Sequence, residues 1–220
     1  MIGTFDRDFG KAESVQTSLN ASRRYFWATK RFLDVAISLT LIVPFGVFCL
    51  LLLVLNPWYN RGPLFYTQIR MGKDCRAFRA IKFRSMVPVS NSAKSVRRHN
   101  EGIEHSRITR LGGILRKLRI DELPQILNVL RGDMSLIGPR PDTFSHAKVF
   151  CRTVPGYAAR HLVRPGISGL AQVKQGYAVG IDATRMKTAY DLAYIQSADL
   201  LVDLRLVGAT IVAVFSGRGV

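Results

Sequence analysis

The sequence predicts a mostly helical α+β chain. It would be a monotopic membrane protein, with an N-terminal Pro-kinked re-entrant helix hairpin and one cytoplasmic domain. Three observations carry that expectation. An uncharged run, Val35 to Leu55, holds Pro44 near its middle. Cations stand on both sides of the run. Beyond it, residues 59 to 220 mix short strand-like segments with helical apolar stripes, enough chain for one domain core and with no internal repeat.

The elements follow in order. Residues 1–29 read as a polar leader of mixed charge. A cleaved signal peptide fits them poorly, because the stretch carries Asp6, Asp8 and Glu13 and the apolar run lacks a small-residue cleavage pattern. Residues 30–58 form the membrane segment, long enough for a hydrocarbon core of about 30 Å at about 1.5 Å per residue. Pro44 removes a helical hydrogen bond and is expected to kink or break the helix. Arg23, Arg24, Lys30 and Arg31 precede the run, and Arg61, Arg70 and Lys73 follow it. Positive residues mark the cytoplasmic side of a span, and here both ends carry the mark. A hairpin bent at Pro44 satisfies both flanks, whereas the alternative, a single kinked span, satisfies one. Asp34 sits where the chain enters the membrane, tolerable near the interface beside Lys30 and Arg31 but costly at depth.

Residues 59–220 make up the cytoplasmic domain. LFYTQ and AFRAIKF alternate like strands about a turn at Met71 to Asp74. Residues 87–106 are polar and read as an exposed loop. Leu123, Ile126, Leu127 and Leu130 form one helical stripe, with Asp121 as N-cap, Pro124 in the first turn and Gly132 as the stop. In that place Asp121 would feel the positive end of the helix dipole, which favours its ionised form. Asp133 reads as a turn former. RPGISGLAQV, Arg164 to Val173, reads as a structured loop, and Thr188 to about Val214 as helix with Leu200, Leu201, Leu204 and Val207 on one face.

The formal charge is +17, with 48% hydrophobic residues and a pI near 10.5. Such charge suits anionic lipid head groups or nucleic acid. The basic residues surround carboxylates and lack a docking motif, so no nucleic-acid partner is expected; a membrane-tethered nucleic-acid binder is the weaker alternative. Cys49, Cys75 and Cys151 have no metal spacing and form no disulfide framework, and the four histidines are scattered, which fits a reducing cytoplasmic location.

The densest chemistry lies in RITRLGGILRKLRIDELPQILNVLRGDMSLIGPRP, Arg107 to Pro141. Adjacent carboxylates, Asp121 and Glu122, stand among many cations. Alone, a cap Asp followed by Glu is ordinary helix punctuation. Cations suggest an anionic substrate, and carboxylates among them suggest a divalent metal or a nucleophile attacking phosphorus.

Taken with KRFLDVAISL, GPLFYTQIRMG, KFRSM, RPGISGLAQV and YDLAYI, these residues resemble the bacterial sugar transferases, monotopic phosphoglycosyl transferases acting on polyprenyl phosphate. The likeness runs from Lys30 to Gly219. It implies transfer of a sugar-1-phosphate from a UDP-sugar to undecaprenyl (polyprenyl) phosphate, with release of UMP. This would be a first membrane step of exopolysaccharide, capsule or O-antigen synthesis. It implies Asp121 as nucleophile and as ligand of Mg2+, forming a covalent aspartyl-phosphate-sugar intermediate, with Glu122 orienting the site. It gives Arg116 a phosphate and Arg140 the nucleotide, the prolines Pro139 and Pro141 fixing the backbone of Arg140. Arg164, Lys82 and Arg84 are further substrate-binding candidates. It places the protein at the bacterial inner membrane, catalytic domain on the cytoplasmic face. Many relatives carry Ser-Pro at the bend; here it is Val43-Pro44, leaving Ser38 and Thr40 to bond backward instead. The sugar is not legible, a homo-oligomer is an open possibility, and a non-catalytic scaffold of a polysaccharide-assembly complex is the alternative.

Overall fold

The computed structural model describes residues 23–87, 105–175 and 180–215. Most of the expected leader and of the polar loop at 87–106 lies outside the described residues. Helix α1, Arg24–Thr40, and helix α2, Ile42–Tyr59, are separated by Leu41 alone. Helix therefore begins at Arg24, inside the stretch expected to be leader. Thr40, where α1 ends, lies four residues before Pro44. Its carbonyl thus lacks the N–H that would close the helical bond and faces the Pro ring. Thr40 donates its hydroxyl to the carbonyl of Ile37 at 2.8 Å, a backward bond of the expected kind. The buried Ser38 hydroxyl makes none.

The segment Arg24–Tyr59 is long and apolar enough to cross a membrane, and only 11% of its most apolar window is covered by the rest of the protein. A core helix of that hydropathy would be mostly covered. The faces of α1 are inverted relative to a soluble helix: Lys30, Asp34 and Ser38 are buried at four-residue spacing, while Tyr25 and Phe32 are exposed. The buried face is satisfied by the domain. Lys30 Nζ lies 2.5 Å from Asp203, and Asp34 accepts from the Leu136 N–H at 3.1 Å. Helix α2 is held by apolar contact. Phe45, Phe48 and Leu52 pack with Phe83 and Leu115, and the rings of Phe45, Phe83 and Phe65 stack at 5.8 and 5.5 Å.

Strands β1, Phe65–Met71, and β2, Ala77–Phe83, form the antiparallel hairpin that the alternation predicts, Phe65 opposite Phe83 and Met71 opposite Ala77. Helix α3, Arg110–Lys117, starts on a Thr109 cap whose hydroxyl accepts from the Gly112 N–H at 2.9 Å. It presses on the end of β2: a Cβ at Gly112 would lie 2.0 Å from the Ser85 carbonyl oxygen, so only glycine fits.

The helix expected from Asp121 is divided. Ile120–Gln125 is a 3-10 turn entered through Arg119 in the left-handed region (φ 56°), and α4 covers only Ile126–Arg131. Pro124 has no N–H to give the Ile120 carbonyl, so the turn closes on shorter i→i+3 bonds, such as Glu122 N–H to Arg119. Asp121 is therefore not the N-cap of an α-helix. Gly132 ends α4 in the left-handed region (φ 93°), as expected.

Strand β3, Ser135–Ile137, pairs in parallel with β4, Gly166–Ser168. The intervening chain holds α5, Phe144–Thr153, and a 3-10 turn, Tyr157–Leu162. The stretch expected as a loop is thus β4 followed by α6, Leu170–Lys174. The C-terminal helix is likewise two: α7, Ile181–Ser197, and α8, Leu200–Phe215, divided where the Asp199 carboxylate accepts from the Val202 N–H at 2.7 Å. Leu206 of α8 joins Ile137, Tyr194 and Ile195 in the core, while Leu200, Leu201 and Leu204 are exposed.

Candidate active site

Three elements converge on the carboxylate pair: the end of β2 with Lys82, the 3-10 turn with Asp121 and Glu122, and the segment after β3 with Arg140. Glu122, 5% exposed, accepts from Lys82 Nζ at 2.7 Å and from both terminal nitrogens of Arg140, one at 2.9 Å. Arg119 stands 3.9 Å away. Burial alone would raise the pKa of Glu122. Arg140 and Lys82 overcome it and hold the carboxyl well below its usual range. Burial in turn lowers Lys82 to about 8, even against the pull of Glu122.

Asp121 is as deeply buried as its neighbour but differently partnered. Among the described residues, no hydrogen bond or ion pair closes on its carboxylate. Its pKa is raised, first by burial and then by Glu122, with Lys82, Arg116 and Arg140 opposing. The expected dipole effect loses its basis, because no α-helix starts at Asp121, and desolvation sets the direction. The outcome is an unclaimed, comparatively basic carboxylate in a field of cations, beside a second carboxylate whose charge is already cancelled. Such a group can bind a cation or attack an electrophile held by the surrounding positive charge.

Arg116 lies close enough to act on Asp121, and its guanidinium touches only the sulfur of Met86, at 3.9 Å, among the described residues. It remains available to an anion. Pro139 and Pro141 are buried and act through their carbonyls, which accept from the Gly166 N–H at 3.0 Å and from Arg70 at 2.6 Å. Two candidates stand apart from this group. Arg84 is turned into the turn after α2, donating to the carbonyls of Asn60 and of Pro63, the latter at 2.8 Å. Arg164 donates to the Gly132 carbonyl at 2.9 Å and faces a cavity against α1. Asp133 bonds back to Asn128, as a turn former does. Among the described residues no cluster of three metal-ligating side chains occurs.

A second ionic group, invisible to sequence reasoning, supports the first from behind. Arg160, 1% exposed, donates to the Arg140 carbonyl and to Asp142, both at 2.6 Å, and lies 2.7 Å from Asp191. Lys187 reaches both oxygens of Asp142, at 2.6 and 2.8 Å, and the Tyr157 hydroxyl donates to it at 2.7 Å. Burial would strip the Arg160 proton, but Asp191 and Asp142 keep the guanidinium charged. The available signal is an Arg beside His161 in the short segment YAARHL and an Asp flanked by Tyr190 and Leu192 in YDLAY. Arg160→Gln leaves the buried Asp191 without its paired cation and Asp142 with Lys187 alone. It is expected to cost about 3–5 kcal/mol in denaturant unfolding, and a loss below about 1 kcal/mol would show the network to be dispensable.

A family model described as bacterial sugar transferase matches residues 25–217. The chain is 44% identical over 190 residues to a UDP-N-acetylgalactosamine-undecaprenyl-phosphate N-acetylgalactosaminephosphotransferase of Aeromonas hydrophila, covering 86% of this chain and 44% of the relative. It is 40% identical over 184 residues to a UDP-glucose:undecaprenyl-phosphate glucose-1-phosphate transferase of Caulobacter vibrioides, covering 83% and 68%. With the exopolysaccharide production protein PSS of Rhizobium leguminosarum bv. phaseoli it shares 36% over 200 residues, covering 86% and 97%. The chain therefore spans less than half of the Aeromonas relative and nearly all of the Rhizobium one.

Proposed function

The chain belongs to the bacterial sugar transferase family, and from that membership we propose that it transfers a sugar-1-phosphate from a UDP-sugar to undecaprenyl phosphate and releases UMP. The observation that carries this is the division of labour in the carboxylate pair: Glu122 is saturated by Lys82 and Arg140, while Asp121 is buried and unclaimed. An Asp121 oxygen forms a bond to the phosphorus bearing the sugar, and the bond from that phosphorus to the bridging oxygen breaks, its electron pair leaving on UMP. A phosphate oxygen of the polyprenyl acceptor then attacks the same phosphorus and the Asp121 carboxylate departs. Arg116 is the open cation for the incoming diphosphate. Lys82 and Arg140 keep the local field positive, and Arg160 fixes the backbone of Arg140. Glu122 positions those two cations rather than reacting.

The residues present fit Mg2+ in its usual manner, one carboxylate with the remaining ligands from substrate phosphates and water. Asp121 would hold it, since Glu122 is taken, and the ion would neutralise charge on the diphosphate. The inverted faces of α1 and the interruption before Pro44 support a re-entrant hairpin. On this reading the domain lies on the cytoplasmic face of the inner membrane, where soluble nucleotide sugar and lipid phosphate meet. The names of the relatives favour a place in exopolysaccharide or related glycan synthesis.

UMP release from a panel of UDP-sugars, with undecaprenyl phosphate and Mg2+, tests the reaction. Wild-type protein should release UMP and Asp121→Ala should lose essentially all of it; a variant retaining wild-type turnover excludes Asp121 as nucleophile. The pH profile of kcat/KM should have an acid limb displaced upward from that of an ordinary Asp, because burial of Asp121 favours its protonated form. Its alkaline limb should fall near pH 8, where Lys82, lowered from 10.5, loses its charge. Lys82→Arg should move the alkaline limb upward, and an unmoved limb assigns it elsewhere. For the hairpin, Pro44→Leu should straighten the segment and carry the N-terminus to the far side of the membrane. A cysteine placed there that stays accessible only from the cytoplasm in both proteins would count against the bend.

A further inference from the structure

Positive charge gathers at a second place, away from Asp121. A cavity of about 530 Å³ lies between α1 and the 3-10 turn before β4, lined by Arg24, Trp27, Lys30, Arg31, Lys73 and Arg164 among others. Five of those six are cations, and Asp34 is the one carboxylate in the lining. Lys30 is neutralised by Asp203, and Asp34 is occupied by the Leu136 N–H. Among the described residues no carboxylate lies within ion-pair distance of Arg24, Arg31, Lys73 or Arg164.

Two of these cations are held in place. Arg31 donates to the carbonyls of Val129 and Leu130, at 2.6 and 3.1 Å, and Arg164 donates through Nε to that of Gly132. Both guanidinium groups therefore sit on the last turn of α4, whose carbonyl end favours cations. Capping explains one such group. It does not explain two, joined by Arg24 and Lys73 around an open volume. Mutually repelling charges fixed by backbone carbonyls, with donors left over, form a preorganised anion site.

The kind of anion follows from location. One wall is α1, which turns Tyr25 and Phe32 outward, 85% and 71% exposed, at the level of the cavity and leads directly into the apolar run. We propose that this cavity binds the phosphate of an anionic lipid head group, at a site distinct from the Asp121 centre. It rests on the proposed membrane seating of α1 and not on the transfer reaction. A phosphate diester of an anionic glycerophospholipid and the monoester of a polyprenyl phosphate share the required chemistry.

The full chain in zwitterionic detergent, with Trp58→Phe to leave Trp27 as the reporter, provides the test, because the sequence holds only two tryptophans. Dihexanoylphosphatidylglycerol, a short-chain polyprenyl phosphate, dihexanoylphosphatidylcholine and inorganic phosphate are titrated separately. A saturable change in Trp27 emission is expected with one or both of the first two, and which one responds identifies the source. Adding Arg164→Gln and Lys73→Gln should weaken it about thirtyfold, the worth of two interfacial cations. Adding Asp121→Ala should leave it unchanged. A response equal with phosphatidylcholine, equally strong with inorganic phosphate, absent throughout, or indifferent to the double substitution would overturn the site. The readout is binding, so failure of the transfer reaction would show in UMP release and not here.

Discussion

Glu122 is the interaction on which the rest of the centre depends. One carboxylate joins Lys82 of β2 and Arg140 of the segment after β3 to its own 3-10 turn, tying together three pieces of chain that are distant in sequence. Removing one member of such a buried group strands the others, so the set behaves as a unit. Its electrostatic effect matters as much as its mechanical one. Because Glu122 consumes the nearest hydrogen-bond donors, Asp121 is left among cations without being bound by any of them. A carboxylate engaged by two strong donors would be a poor nucleophile; one that feels the same charges at a distance keeps its basicity.

The apolar N-terminal element is continuous with this centre. Arg31 of α1 holds the carbonyls that end α4, and α4 follows directly from the turn bearing Asp121. On the other side, α2 stacks Phe45 on Phe83, next to Lys82 in the strand. Both halves of the apolar segment thus brace the carboxylate turn, one by polar capping and the other by aromatic contact. The ionic group around Arg160 braces it from the interior, through the Arg140 carbonyl and without help from Asp121.

Patterns with short periods were legible in the sequence. The β1–β2 hairpin follows from alternation, the stop at Gly132 from its conformational freedom, and the apolar segment from its length. The division at Ile120–Gln125 is not legible in the apolar stripe, which suits an α-helix as well as a 3-10 turn leading into one; Pro124 decides between them. Asp121, Glu122, Arg116, Arg140 and Lys82 are candidates by motif and resemblance, and the structure brings them together. Arg84 and Arg164 stand in motifs on paper, whereas the directions of their side chains are set by carbonyls distant in sequence. Asp142, Arg160 and Asp191 escaped notice because their meaning is mutual: each is an ordinary charged residue until the fold removes water from all three.

The polar face of α1 also imposes an order on biosynthesis. Lys30 and its partner Asp203 are 173 residues apart, and Asp34 waits 102 residues for Leu136. At about 5–20 residues per second, about ten seconds or more pass between the appearance of α1 and that of α8. Throughout that interval the helix displays apolar residues on one side and unsatisfied charges on the other. The only surroundings that suit both are the boundary between water and lipid. On the proposed membrane seating the nascent helix waits at that boundary, and the domain is finished by closing onto a segment already in place.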